Sequence, residues 1–296
     1  MVSPYAVKQA EAEAWKSYVL DEIFEALAQS KKVEEALVFK GARVLNLRLE
    51  GGRQSLDIDS NLRDSFVKLF PSRNQQKEFL EEEMTRSIRR HFERQNPVRF
   101  ELVRLTVTGY PPKSHPMGWD SFIVRINVND LTRNVRGFPA LEIDIAAPED
   151  LLDSSVSTIE VGGHEVHAYT LERIGGEKLR AFLSSLPAYR AKVKRPGEAV
   201  RAKDLYDIAR IFKARNLEDN AFWHTVGTEF HIACQSRYID CAGLTTFQEQ
   251  WDVTRKTYSE APIPKDISFE EIEISLAAIV DYFEHVGVIP FSFQLP

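Results

Sequence analysis

Cysteine is nearly absent from this sequence. Cys234 and Cys241 are the only two in 296 residues. Seven apart in a stretch that reads as helical, they fall about two turns, ~10 Å, from one another, beyond disulfide reach. A disulfide scaffold and a cysteine-ligated zinc are therefore excluded. Long apolar runs are also missing, since nothing approaches the roughly 18–20 uninterrupted apolar residues of a membrane span. Residues 1–5 lack the basic-then-apolar pattern of a secretory leader. Together these absences predict a cytoplasmic protein with no membrane role. No helix carries a His-Glu-x-x-His pattern, and His164 and His167, three apart in a strand, face opposite ways, which excludes a zinc peptidase.

What is present is an ordinary globular composition, 43% hydrophobic and 28% charged, enough for one large domain or two closely packed ones. The net charge of −6 hides an uneven distribution. Residues 171–215 hold 12 Lys or Arg against 5 Asp or Glu, a balance of +7, whereas residues 216–296 hold 4 against 13, a balance of −9. The basic segment suits an anionic substrate, nucleotide or nucleic acid, or is simply a set of solvated helix faces.

Hydrophobic spacing predicts a first helix over residues 7–29, a short strand over 35–39 ended by a turn at Lys40-Gly41, and a short helix over 42–49. Residues 55–60 alternate strictly, as a strand does. A long polar helix over 74–95 comes next, then strands over 99–108, 121–128 and 141–147, read as antiparallel, and a hairpin at Gly162-Gly163. After residue 170 the strand pattern gives way to four or five helices. Strands first and helices later argue an α+β domain over residues 1–170, followed by a mostly helical part over 171–296. Trp223, Phe230, Tyr238 and Phe247 recur at helical spacing and read as core rather than as a base-stacking platform.

Asp57 and Asp59, two apart on a strand, project from one face and can share a cation. Hard carboxylate oxygens at that spacing suit Mg²⁺, which takes one or two carboxylates together with substrate phosphates. A surface strand also carries such pairs by chance, so the setting decides. Here the pair follows an apolar strand, the turn Lys40-Gly41-Ala42 and a short helix, an arrangement in which backbone N–H groups can meet phosphates. Arg53 and Ser55 lie just before the pair. Further along, Lys178 falls in the inward stripe of Leu171, Ile174 and Phe182, where an ammonium needs a partner such as Asp204 or a triphosphate, or else snorkels past the core edge.

These blocks resemble a known family. The segment from Val38 through Gly41 to the Leu56-Asp57-Ile58-Asp59 strand is similar to the first motif of the AbiEii-type nucleotidyltransferases, toxins of abortive-infection and type IV toxin–antitoxin pairs. Glu177-Lys178-Leu179 looks like the family's glutamate-lysine-leucine helix. Lys203-Asp204-Leu205-Tyr206-Asp207 looks like its arginine-aspartate-leucine-tyrosine-aspartate block, with Lys203 in place of the commoner arginine. The resemblance covers about residues 38–212. It implies a nucleotidyltransferase-like mixed sheet with flanking helices, and transfer of a nucleoside monophosphate from an NTP to a hydroxyl acceptor, the tRNA 3′ end, with a co-encoded antitoxin as partner. The same site on a protein or small-molecule acceptor, or a catalytically silent member, is the alternative. In that reading Asp57 and Asp59 hold Mg²⁺, and Lys178 and Asp204 belong to the active site. Asp207 could instead be a helix-surface or loop-bracing carboxylate. Lys40, Gly41, Ala42, Arg53, Ser55 and Lys178 contact the nucleotide. The superfamily's third carboxylate falls to Asp144, with Glu142 on the same face as the other choice. Where the superfamily turn usually reads Gly-Ser, Ala42 has no hydroxyl, which leaves phosphate contact to backbone N–H groups, Ser55 or a basic side chain.

Overall fold

The computed structural model describes residues 5–6, 8–113, 115, 118–133, 135–136, 138–197 and 199–296; most of the segment read for a leader, and residue 7 of the first expected helix, lie outside them. In chain order the elements are β1 (Tyr5–Ala6), α1 (Gln9–Ala28), α2 (Lys31–Ala36), β2 (Leu37–Lys40), α3 (Gly41–Arg48), β3 (Ile58–Leu62), α4 (Asp64–Leu69) and α5 (Arg73–Arg94). Then follow β4 (Phe100–Tyr110), β5 (Ser121–Asp130), β6 (Val135–Arg136), β7 (Leu141–Ala146), β8 (Val156–Val161) and β9 (His164–Tyr169). The rest is helical: α6 (Leu171–Ser184), α7 (Pro187–Lys192), α8 (Ala202–Ala214), α9 (Asn220–Gln235), α10 (Leu244–Phe247), α11 (Trp251–Glu260) and α12 (Phe269–His285). The chain forms two compact units, one of Met1–Val44, Gln54–Glu149 and Thr158–Ala168, the other of Leu45–Arg53, Asp150–Ser157 and Tyr169–Pro296.

A seven-stranded mixed sheet in the order β4-β5-β7-β3-β2-β9-β8 organises the first unit. β4, β5 and β7 run antiparallel as expected, but β7 also lies parallel to β3, and β2 lies antiparallel to β3 and parallel to β9. Alternation sends Phe39, Ile58, Ile143, Ile145 and Val124 to one face, all under 2% exposed. α1 packs Phe24 on Phe39 with ring centroids 4.7 Å apart, and α5 packs Phe92 on Phe100 of β4 at 5.5 Å. The opposite face therefore carries the strands' polar residues.

The 55–60 segment differs from its expected form, because the strand begins only at Ile58. The Arg43 guanidinium donates to the Ser55 carbonyl (2.8 Å) and the Asp57 carbonyl (3.4 Å). Those backbone acceptors are thus engaged by a side chain, and ladder pairing starts after them. The short apolar run before Gly41 is split between α2, whose N-cap Ser30 accepts from the Val33 N–H, and β2. Helix α4 carries no sequence period long enough to read; Phe66 holds it against Phe70 and Phe79 at 5.0 Å.

In the second unit, seven helices follow residue 170 among the described residues, where four or five were expected. The additional ones are the short α7 and α10, each of six residues or fewer. α6 and α9 approach closely, since a Cβ on Gly176 would stand 2.6 Å from the Phe230 backbone nitrogen. Beside that contact the buried Arg173 pairs with Glu229 at 2.9 Å, and Glu229 also accepts from the Ser155 hydroxyl. Trp223, Phe230 and Phe247 are core, as their spacing predicts, while Tyr238 is half-buried beyond the end of α9 with φ +56°. That left-handed residue also corrects the helical reading of the cysteines. α9 stops at Gln235, and Cys241 instead pairs its backbone with Phe291 (N–H to O 3.0 Å). Both thiols are free and buried.

Candidate active site

The polar face of the first unit's sheet brings three predicted residues into one row. Lys40 on β2 lies opposite Asp59 on β3, and Asp59 lies beside Asp144 on the parallel strand β7. Registered neighbours share a face, so the ammonium and both carboxylates project together. Asp57 precedes the strand and takes a hydrogen bond from the buried Ser55 hydroxyl at 3.0 Å. Ser55, read from sequence as a nucleotide contact, spends its hydroxyl on orienting Asp57. Lys40 donates to Glu149 at 3.2 Å.

Gly41 opens α3 with φ +80°, the left-handed region that favours glycine. A Cβ there would lie 2.0 Å from Asp59 Oδ2 and 2.8 Å from its Cγ. The turn is thus pressed against the Asp59 carboxylate, and the first N–H groups of α3, which have no partner within the helix, start beside it. Ala42 is buried and contributes no hydroxyl. Gly41→Ala is expected to displace Asp59 and to cost about 1–2 kcal/mol in backbone strain. Denaturant unfolding paired with a transfer assay checks it, and a variant with wild-type stability and activity would show that the close approach is unimportant.

Asp144 stands out electrostatically. Loss of solvation, then the charges of Asp57 and Glu142, raise its carboxyl above the ordinary value, with Lys40 and Lys16 opposing, although the residue itself reaches solvent. Glu142, on the same face, pairs with Arg125 at 3.1 Å. The donor set fits a hard divalent cation: oxygen ligands only, on one face, with a mutual repulsion that such an ion relieves. The carboxylates stand wider apart than 4.8 Å as a group; among the described residues the His/Cys/Asp/Glu set within that span is Glu22, Glu25 and His91.

Arg43 was missed by sequence reasoning. It is 7% exposed and braces residues 55–57 from the first turn of α3, with Asp21 as its ion-pair partner. Burial lowers its guanidinium pKa, against the fields of Asp21, Asp57 and Asp59. A cation in the first turn of a helix opposes the macrodipole, and that mismatch was the available signal.

In the second unit the remaining predicted residues form an ion network. Lys178 on α6 sits 2.8 Å from both Asp204 and Asp207 on α8, Arg53 reaches Asp207 at 3.0 Å, and Arg201 reaches Asp204 at 2.6 Å. Lys178 is 7% exposed and the two aspartates 1% or less, so the lysine does not snorkel. Asp207 braces both Lys178 and Arg53, the loop-bracing role left open for it.

Residues 23–284 match the family described as "Nucleotidyl transferase AbiEii toxin, Type IV TA system". The chain belongs to that family. Among solved structures, the AbiEii-family chain described here is similar to JHP933 from Helicobacter pylori, at 14% identity over 96% of this chain and 95% of that one, with a TM-score of 0.52. At that identity the likeness shows the fold, an α+β nucleotidyltransferase-like mixed sheet followed by helices. An antigenic nucleotidyltransferase-like protein from Paracoccidioides brasiliensis is matched at 15% identity over 79% of this chain and 91% of that one, with a TM-score of 0.35. No curated protein matches the sequence. No helix among the described residues is long and apolar enough to cross a membrane.

Proposed function

We propose that this AbiEii-family chain transfers a nucleoside monophosphate from an NTP to a hydroxyl of RNA, the tRNA 3′ end, releasing pyrophosphate, and acts in the cytoplasm as the toxin of a toxin–antitoxin pair. The observation that carries the transfer chemistry is the register of Asp59 beside Asp144, with the Gly41 turn against Asp59. Bound by Asp57, Asp59 and Asp144, Mg²⁺ would neutralise phosphate charge and position the triphosphate. Ser55 and Arg43 hold the Asp57 segment in place. The N–H groups at the start of α3 offer phosphate contacts where Ala42 lacks a hydroxyl. Lys40 supplies a positive charge in the same row. Lys178, Asp204 and Arg53 are carried forward as active-site and nucleotide-binding residues on the family resemblance, and the +7 segment that holds Lys178 and Asp204 suits an RNA backbone.

Incubation with each labelled NTP, Mg²⁺ and either total RNA or lysate protein tests the proposal. Label is expected in the tRNA fraction, at the 3′ end, and only with the divalent ion. Label in protein would move the acceptor to that class. No label in any fraction, from a protein that binds NTP, would favour a catalytically silent member.

A further inference from the structure

We propose a second metal site, for a zinc-class transition ion, formed by Glu22, Glu25 and His91 in the first unit. Glu22 and Glu25 lie three apart on α1, and His91 comes from the last turn of α5, so two helices that pack together supply three ligand atoms within 4.8 Å of one another. None of these residues belongs to the Asp57, Asp59 and Asp144 row, and the donor chemistry differs. An imidazole with two carboxylates selects zinc, cobalt or manganese over magnesium, whose sites are built from oxygen donors.

The surroundings are those of a ligand site. His91 is 9% exposed, which limits its ring to few orientations. Its Nε2 lies 3.0 Å from Glu22 Oε2, and its Nδ1 lies 3.0 Å from the Gln29 side-chain amide. A metal-bound histidine needs a partner for its other ring nitrogen to fix the tautomer, and Gln29 fills that position once its amide presents oxygen to the Nδ1–H. Gln95 donates to Glu22 Oε2 at 2.7 Å, while its own Oε1 is buried without a hydrogen-bond partner. Glu25 is half-buried beside the β8–β9 turn, where a Cβ on Gly162 would stand 2.7 Å from its Oε1.

Equilibrium dialysis of the full chain against Zn²⁺, and the visible spectrum with Co²⁺, test the proposal, each with Mg²⁺ in excess. One Zn²⁺ per chain is expected, with a Co²⁺ spectrum showing nitrogen ligation, and with retention in Asp57→Ala and Asp59→Ala. Glu25→Gln and His91→Gln should lose the ion, and Gln29→Leu should weaken it by about 10–100-fold, the range for removing a side chain that hydrogen-bonds a metal-binding histidine. Glu25→Gln keeps the side-chain shape, so it separates metal loss from misfolding, which circular dichroism checks. No binding by the wild type, or binding undiminished in Glu25→Gln and His91→Gln, overturns the site. Neither result touches nucleotide transfer, which is read through the Asp57 and Asp59 variants.

Discussion

Asp144→Asn cuts transfer by about 10²-fold or more, the scale of removing one preorganised charge from a reacting site, and leaves the protein at least as stable as wild type at neutral pH. Asp144 lies beside Asp59, and its carboxyl pKa is raised by lost solvation and by the Asp57 and Glu142 charges. A carboxyl raised in the folded state holds its proton more tightly there than in the unfolded chain. Stability therefore falls as pH rises from the unfolded value, about 4, through the raised folded value, and the penalty stays in full above it. Asparagine has the same shape and no charge, so the gain appears at neutral pH and vanishes below about pH 4. Paired melting curves at the two pH values, with the labelled transfer assay, check both halves. Unchanged transfer would remove Asp144 from the site, and a variant less stable at neutral pH would refute the electrostatic account.

Much of this first unit was legible because its signals are local. Alternation placed β4, β5 and β7 within one or two residues, and the Asp57-x-Asp59 pattern marked the polar face. What the sequence could not show was register. That Asp144 lies directly beside Asp59 follows from β3 and β7 running parallel, a pairing of residues 85 apart in the chain that no local period records. Arg43 escaped for a related reason: its role lies in the backbone carbonyls of residues 55 and 57, and carbonyls have no sequence signature. Helix α4 was missed because six residues are under two turns, too few for a 3.6-residue period to repeat. His91 carried no readable role, since its partners are Glu22 on α1 and Gln29 just after it, more than 60 residues away in the chain. Lys178 was read correctly as inward-facing and in need of a partner. The sequence offered Asp204, and the structure adds Asp207 at the same distance.

That second partner changes what a Lys178 variant should do. Lys178→Met is expected to destabilise the protein by about 3–5 kcal/mol, because removing one member of a buried ion network leaves uncompensated charge behind. Asp204 and Asp207 would then face each other across the vacated ammonium position, with Arg201 and Arg53 as the remaining cations. Burial alone would raise the Asp204 carboxyl, but Lys178 and Arg201 more than offset it and hold it well below the usual carboxylate range. Burial alone would lower the Lys178 ammonium, and the two aspartates outweigh that and raise it. The depressed Asp204 contributes stability above about pH 4 that is lost as pH falls through its folded value, and the raised Lys178 contributes stability below about pH 10 that is lost as pH rises through its own. The gap between wild type and Lys178→Met should accordingly be flat from about pH 5 to 9 and should close in acid as Asp204 takes up a proton. Urea midpoints at neutral pH and at the acid end measure it. Removing the lysine together with one aspartate, in Lys178→Met with Asp204→Asn, leaves the buried Asp207 paired with Arg53 and should recover most of the loss. A single variant as stable as wild type at neutral pH would mean that the aspartates are satisfied without the lysine. A stable double variant without transfer activity would separate what this network does for the reaction from what it does for the fold.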